Sequence, residues 1–345
     1  MADALILARA LADPQSLTLD TDWIGLVTTA RAEQLLGTLA YRLDGLPLPE
    51  DVALLLADAR AAAENGRRAA LWEAEMARRA LAPLGGPVVL LKGTAFVAAG
   101  LSAGRGRSIG DLDILVSRGS IDAVESALLA AGWEWVKPDP YDDAYYRRWM
   151  HELPPLIHRD RDRMIDVHHT ILPLTARITP DPAALLAAAQ PLGNGLSVPS
   201  PNDMVVHAAA HLFADGDLAG GLRNLWDIHC LLDDHGSDGL AARARHHGLA
   251  REVERALRLS RRLFDTRVVA DEVGWLDRLY LRRLLARDDW GRPIRPLTRF
   301  AFYIRSHWLR MPPAMLARHL WTKWRRARPT AVPPGRRDRV PAGRR

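Results

Sequence analysis

Two aspartates, Asp111 and Asp113, lie two residues apart in a short β-prone run that follows Gly110. Successive side chains of a strand alternate between its faces, so both carboxylates share one face and the apolar residues between and after them share the other. Carboxylates at the start of a strand suit a hard divalent cation such as Mg²⁺, which takes carboxylate oxygens together with substrate phosphates. This is the setting for phosphoryl or nucleotidyl transfer. The alternative for an Asp-x-Asp pair alone is the solvated face of an edge strand.

A second segment with chemical potential is Lys92-Gly93-Thr94, at the end of a predicted strand. Glycine lets the backbone approach a phosphate closely, and a helix that follows aims its amide groups at an anion. An ordinary helix-entry turn is the alternative for this tripeptide by itself.

A third segment, residues 165–169, places Asp166 on a predicted strand between two apolar residues, where an unpaired charge is unfavourable. A third carboxylate beside the first two would complete a two-metal site, in which one cation activates the attacking oxygen and the other stabilises the leaving group. The alternative is a paired or solvent-facing acid in a hairpin. His168 shares the face of Asp166, so it could orient that carboxylate, contact a phosphate or be a satisfied structural histidine.

These segments lie in a stretch with strand character between two helical regions. Apolar spacing predicts helices through residues 1–85, including a long helix over 52–81. Short strands are predicted at 88–91, 111–116, 133–136, 156–159 and 164–169. Helices are predicted again at 181–190, 202–214, 218–235, 238–247, 250–265, 271–288, 297–309 and 313–326. The sequence predicts an α+β protein with a small α/β core between helical regions.

Composition narrows the class of protein. The 345-residue chain has a net charge of +6, but residues 323–345 carry nine basic side chains against one acid, so the rest of the chain carries −2. The basic balance therefore belongs to the C-terminus and does not by itself predict nucleic-acid binding. The chain lacks a membrane-spanning apolar run and a signal-peptide pattern, and one cysteine, Cys230, excludes an internal disulfide, so we expect a cytoplasmic protein.

Residues 90–93, 107–116 and 165–168 together resemble the nucleotidyltransferase superfamily of the polymerase β type, and most closely its bacterial uncharacterised nucleotidyltransferases. The resemblance is clear over about residues 85–235. It implies a small mixed-sheet nucleotidyltransferase core, for which we predict residues 86–172. The two flanking units, residues 1–85 and 173–328, are then predicted to be helical. Residues 329–345 are predicted to be a disordered basic tail.

The resemblance also implies a role for each matched residue. Asp111 and Asp113 would bind both of two Mg²⁺ ions, and Asp166 would be the third metal ligand and the base toward the acceptor hydroxyl. The nucleoside triphosphate, ATP by preference, would be received by Lys92, Gly93, Thr94, Arg107, Ser108 and His168. The chain departs from the superfamily pattern in having Gly-Thr where Gly-Ser or Gly-Gly is usual, and in the eighteen residues between Gly93 and Asp111.

The expected reaction is therefore Mg²⁺-dependent transfer of a nucleoside monophosphate, AMP from ATP, to a hydroxyl or phosphate oxygen, with release of pyrophosphate. The acceptor (a small molecule, a peptide or protein, or an RNA) stays open. Two alternatives belong to other classes: a non-catalytic nucleotide-binding module, and an RNA- or membrane-associated protein acting through its arginine- and aromatic-rich C-terminus. The basic tail could contact anions in either case.

Two pairs with i, i+4 spacing lie farther along the chain. His207 and His211 lack a third ligand at zinc spacing, so contact with the active-site cleft or a hydrogen bond to Asp227 is the favoured interpretation. Arg223 and Asp227 are expected to form a pair on a helix surface, unless they line the site.

Overall fold

The computed structural model describes residues 4–136, 140–310 and 321. Seven short strands within these residues form one mixed sheet in the order β3-β4-β5-β2-β1-β7-β6. The β2–β5 and β1–β7 pairs are parallel, and the other neighbours are antiparallel. The strands are β1 (Val88–Leu90), β2 (Leu112–Leu115), β3 (Trp133–Trp135), β4 (Leu156–His158), β5 (Met164–His168), β6 (Gln190–Pro191) and β7 (Leu196–Val198).

Helices make up most of the rest of the described chain. Those before and within the sheet region are α1 (Leu5–Ala12), α2 (Trp23–Ala32), α3 (Leu36–Arg42), α4 (Glu50–Leu81), α5 (Lys92–Ala98), α6 (Ile121–Ala130), α7 (Pro140–Trp149) and α8 (Pro182–Ala187). Those that follow are α9 (Pro201–Ala210), α10 (Gly221–His235), α11 (Leu240–His246), α12 (Ala250–Phe264), α13 (Trp275–Leu284) and α14 (Pro296–Arg310). No helix of the described residues is long and apolar enough to cross a membrane.

The α+β architecture predicted from the sequence is confirmed, including the five strands proposed for the core. Two strands, β6 and β7, were not predicted, and β7 extends the sheet by pairing with β1. The sheet therefore runs past residue 172, where we expected the core to end, and the division into four units remains a prediction. The predicted tail lies outside the described residues, as does the helix over 313–326 except for Trp321.

Most side chains of the central strands β1, β2 and β5 are apolar and buried, because helices and loops cover the sheet there. The three residues of β1 are at most 5% exposed, and Leu112, Ile114 and Val167 are at most 3% exposed. The long helix α4 packs against β1 and β2. It is held to the β4–β5 turn by the ion pair between Glu73 and Arg161, whose nearest atoms are 2.8 Å apart.

The C-terminal helices are joined to the sheet region by hydrogen bonds as well as by apolar packing. Asp234 near the end of α10 accepts hydrogen bonds from the backbone N–H and the hydroxyl of Ser102, at 2.8 and 2.7 Å. Within the helical layer, Asp203 of α9 is fully buried and receives Arg243 of α11 on both carboxylate oxygens, at 2.5 and 2.7 Å. A buried charge needs such a partner, so this pair fixes how α9 and α11 pack.

Candidate active site

Parallel pairing of β2 with β5 brings the predicted acids together. Asp113 lies directly opposite Asp166 in the register, so both side chains leave the sheet on the same face. Asp111 precedes β2 by one residue and is exposed. One carboxylate oxygen from each of the three acids lies within 4.8 Å of the others. The three predicted metal ligands thus form one cluster at the end of two neighbouring strands.

Asp113 is the most tightly held acid of this cluster. Its Oδ1 accepts from Lys92 Nζ at 2.5 Å and lies 2.9 Å from His168 Nε2. Burial opposes ionisation of this carboxyl, but the charge of Lys92 and the contact with His168 outweigh burial and hold the pKa of Asp113 well below its ordinary value. Asp113 is therefore a permanent carboxylate at neutral pH.

Asp166 has the opposite electrostatic character although it is the register partner of Asp113. Burial, and then the negative charges of Asp113 and Glu152, raise the pKa of Asp166 to about 7. No hydrogen-bonding cation faces Asp166 among the described residues. The site thus holds one fixed carboxylate and one that exchanges a proton near neutrality, an arrangement typical of acid–base and cation-binding sites.

Lys92 reaches Asp113 from a backbone conformation that side chains rarely adopt. Its φ is +48°, in the left-handed region, and it lies at the first residue of α5 directly after β1. Burial disfavours its ammonium group, yet the charge of Asp113 more than compensates and raises the pKa of Lys92. A strained backbone of this kind persists only where its surroundings hold it in place, and here it places the ammonium group against the acid cluster.

Glu152 and His151 belong to the same site, and the sequence analysis missed both. Glu152 forms an isolated β-bridge with His168, and its Oε2 is 3.4 Å from Nδ1 of that histidine. The ring centroids of His151 and His168 lie 5.2 Å apart. His151, Glu152 and His168 form a second group whose possible metal-ligand atoms lie within 4.8 Å of one another. Only the His-Glu dipeptide itself could have signalled this group, because a bridge between a loop and a strand has no periodic pattern.

Gly93 and Arg107 were predicted to contact the nucleotide, and the structure packs them together. A Cβ at position 93 would lie 2.4 Å from Arg107 Nε, so any larger residue there would have to displace this arginine. The Arg107 guanidinium lies 5.5 Å from the Phe96 ring centroid and forms an ion pair with Asp227 of α10. Arg107 therefore joins the loop before the acids to the C-terminal helices.

Asp227 and Arg223 are buried, which corrects the expected helix-surface pair. They are 2% and 4% exposed, their nearest charged atoms are 3.3 Å apart, and Arg223 Nη1 donates to the Thr38 hydroxyl at 2.5 Å. The spacing i, i+4 correctly placed the two side chains together. It carried no information on what covers them, which is Arg107 on one side and α3 on the other. The hydrogen bond considered between His207 or His211 and Asp227 is not found among the described residues. Arg107 donates to one oxygen of this carboxylate, and Arg223 lies 3.3 Å from the other.

A pocket shares Lys92 with the acid cluster. Arg107 and Asp227 also line it. Its other lining residues include Phe96, Met204, His207, His211 and Asn224. Burial, followed by the charge of Lys92, lowers the pKa of His207 well below its ordinary value, so this imidazole is neutral and can accept or donate one hydrogen bond.

The remaining predicted residues differ in accessibility. Ser108 is exposed on the loop before β2. Thr94 is 1% exposed, and its hydroxyl makes no hydrogen bond within the described chain. Ser108 is therefore open to solvent, whereas Thr94 is not.

The spacing of the three carboxylates is close to what one octahedral Mg²⁺ ion would need. Octahedral Mg²⁺ binds oxygens at 2.0–2.1 Å, so two ligand oxygens of one ion are at most about 4.2 Å apart. Carboxylate oxygens already within 4.8 Å of one another need to close by only a fraction of an ångström. Burial first, and then the negative charges of Asp113 and Glu152, raise the pKa of Asp166, and a bound cation would favour its carboxylate form.

Comparison with known proteins agrees with this geometry. The family described as uncharacterised nucleotidyltransferase matches residues 20–265, which span β1 to β7 and helices on both sides of the sheet. No curated protein matches the chain.

Proposed function

Because the chain belongs to the family of uncharacterised nucleotidyltransferases, we propose that it transfers a nucleoside monophosphate, AMP from ATP, to a hydroxyl or phosphate oxygen of an acceptor and releases pyrophosphate. The observation that carries this proposal is the convergence of Asp111, Asp113 and Asp166 within 4.8 Å. We expect the reaction to take place in the cytoplasm.

The three acids would hold two Mg²⁺ ions, which when bound neutralise phosphate charge and lower the pKa of the attacking oxygen. Asp113 supplies a carboxylate that stays ionised, because Lys92 and His168 hold its Oδ1. Its Oδ2 makes no hydrogen bond to any described residue, which leaves that oxygen for a cation. Asp111 is exposed at the mouth of the site and contributes the second carboxylate of the pair.

Asp166 is the proposed base. In the metal-free protein the pKa of Asp166 is raised to about 7; a bound cation would lower this pKa and favour the carboxylate form that accepts a proton. In the proposed step the acceptor oxygen forms a bond to the α-phosphorus of the triphosphate, and the bond from that phosphorus to the α–β bridging oxygen breaks. The proton of an acceptor hydroxyl passes to Asp166, and the electron pair of the broken bond leaves with pyrophosphate.

The nucleotide would lie between the acids and the pocket beside Lys92. We assign the phosphates to the side chains of Lys92 and Arg107 and to the backbone at Gly93 and Thr94. Ser108 and His168 would border this phosphate site. The nucleoside would then contact the neutral groups of the pocket: His207, His211, Asn224 and the Phe96 ring. Neutral amide and imidazole groups beside an aromatic ring suit a heterocycle better than a phosphate.

Labelling with α-labelled ATP, Mg²⁺ and a lysate of the native host tests the proposal. Wild type should label an acceptor, and Asp111→Asn and Asp113→Asn should each abolish labelling. The matched control is Asp122→Asn, because the Asp122 side chain is 90% exposed on α6. Equal labelling by wild type and both site variants would overturn the mechanism. Calorimetric binding of Mg-ATP without turnover would indicate instead the non-catalytic module.

A further inference from the structure

The helix α14 turns an apolar stripe toward the solvent. At 100° per residue, Leu297, Phe300, Ile304 and Trp308 fall on one side of this helix, and they are 84, 62, 38 and 45% exposed. After the first residue, every exposed position of α14 is apolar, since the remaining one is Ala301. A surface helix of a globular protein normally shows the reverse pattern.

The opposite side of α14 is the side that packs on the protein. Phe302 and Ser306 are buried there, and the Phe302 ring meets the Tyr280 ring of α13 edge-on at 5.0 Å between centroids. Arg305 donates to the backbone carbonyl of Phe213 at 2.6 Å. The helix is thus anchored mainly through side chains outside the stripe. Within the stripe, Arg177 lies over the Trp308 ring at 4.6 Å, and Phe300 borders a pocket that Asp217 also lines. Four large apolar side chains on one exposed face mark an interaction surface rather than scattered exposure.

The charge carried by α14 and the residues just before it is positive. Residues 290–310 contain five arginines and no aspartate or glutamate. Two acids from elsewhere in the chain lie near this part of the structure, and each is paired with an arginine at 3.7 Å: Asp215 with Arg310 and Asp217 with Arg283. Arg292, which precedes α14, is exposed, and the tryptophans Trp290 and Trp321 are 63 and 57% exposed. Apolar and aromatic side chains together with arginine and without acids are the composition of helices that lie in the interface of anionic membranes.

We propose that the exposed stripe of α14, with its basic surroundings, binds the surface of anionic lipid membranes. A second copy of this chain fits the stripe less well, because it would bring an equally basic segment into contact. A nucleic acid would use the aromatic rings and the arginines, but it offers nothing for Leu297 and Ile304. An anionic bilayer satisfies both the apolar and the cationic groups at once. The inference is independent of the proposed catalytic activity.

Co-sedimentation of the full chain with lipid vesicles tests the proposal. Wild type should bind vesicles containing about one third phosphatidylglycerol, bind pure phosphatidylcholine far more weakly, and lose part of its affinity in high salt. The double variant Leu297→Ser/Phe300→Ser should reduce the partition coefficient by about tenfold or more. The matched control is Leu19→Ser/Leu54→Ser, because these leucines are 65 and 64% exposed elsewhere on the chain.

Thermal unfolding monitored by circular dichroism checks that each variant is folded. A single variant, Phe300→Glu, disrupts the stripe in a second way without altering a buried side chain. Several results would overturn the proposal: equal binding to anionic and neutral vesicles, or undiminished binding by both stripe variants while the control behaves identically. If wild type fails to bind vesicles but forms a dimer in light scattering that the stripe variants do not form, the stripe is an interface between copies. If the stripe variants lose only RNA binding, the stripe is a nucleic-acid surface.

Discussion

Replacing Asp166 by asparagine should stabilise the metal-free protein at alkaline pH. The pKa of Asp166 is raised from 3.8 to about 7 by burial and by the neighbouring charges of Asp113 and Glu152. Between these two pH values the folded protein holds a proton that the unfolded chain has released. The free energy of unfolding therefore falls as the pH rises from about 4 to about 7.

The size of this effect follows from the same pKa. At 1.36 kcal/mol per pH unit, a rise from 3.8 to about 7 corresponds to about 4 kcal/mol. Asp166 keeps some contact with solvent, so we expect about 2–4 kcal/mol. Asparagine at this position carries no charge at any pH. The free energy of unfolding of Asp166→Asn should therefore exceed that of wild type by this amount at pH 8 in EDTA, and equal it near pH 4.

Urea unfolding across this pH range, with EDTA present, measures the difference. Asp122→Asn is the control, because that exposed acid should alter stability by no more than about 0.5 kcal/mol. Excess Mg²⁺ should then stabilise wild type at pH 8 and stabilise Asp166→Asn much less. A variant less stable than wild type at pH 8, or two parallel pH profiles, would refute the assignment of Asp166 as a carboxyl held near neutrality by its neighbours.

Three further outcomes follow from the site. Lys92→Met should lower the free energy of unfolding at pH 7 by about 1–3 kcal/mol in urea titrations, because Asp113 loses its nearest cation; an unchanged midpoint would contradict the importance of this pair. Gly93→Ala should cost about 1–3 kcal/mol in the same assay, because the new methyl group displaces Arg107; a neutral effect would mean that the arginine moves freely. The buried thiol of Cys230, whose pKa burial raises, should resist a thiol reagent at pH 8 in the folded protein and react fully in urea; rapid reaction of the folded protein would contradict its place in the core.

The acid cluster could be predicted from the sequence because side chains alternate between the two faces of a strand with a period of two residues. Asp111 and Asp113 share a face by the alternation of a strand, and the apolar neighbours of Asp166 identified a second strand of the same kind. The alternation also gave the side of the sheet on which His168 lies, where it contacts Asp113 at 2.9 Å. Which residues share a face is a local property, so it can be inferred without knowing the fold.

The missed features depend on pairing between distant segments. The strands β6 and β7 are two and three residues long and are separated by Gly193 and Gly195, so neither has a recognisable pattern. Strand β7 exists because β1 offers it a free edge, which is a property of the assembled sheet. Glu152 reaches the site in the same way, through a single bridge to His168.

The ion pair between Arg107 and Asp227 gives the helical part of the chain a role in the site. Arg107 lies on the loop that leads to Asp111, and Asp227 lies on α10, which Arg223 connects in turn to Thr38 of α3. The pair is largely shielded from water, so breaking it leaves Asp227 with Arg223, 3.3 Å away, as its one remaining cationic partner among the described residues. An anionic group bound beside Gly93 would compete with Asp227 for the same guanidinium. The position of α10 and the occupancy of the proposed nucleotide site should therefore be energetically linked through Arg107. A shift of α10 should change the affinity for the anion, and binding of the anion should shift α10.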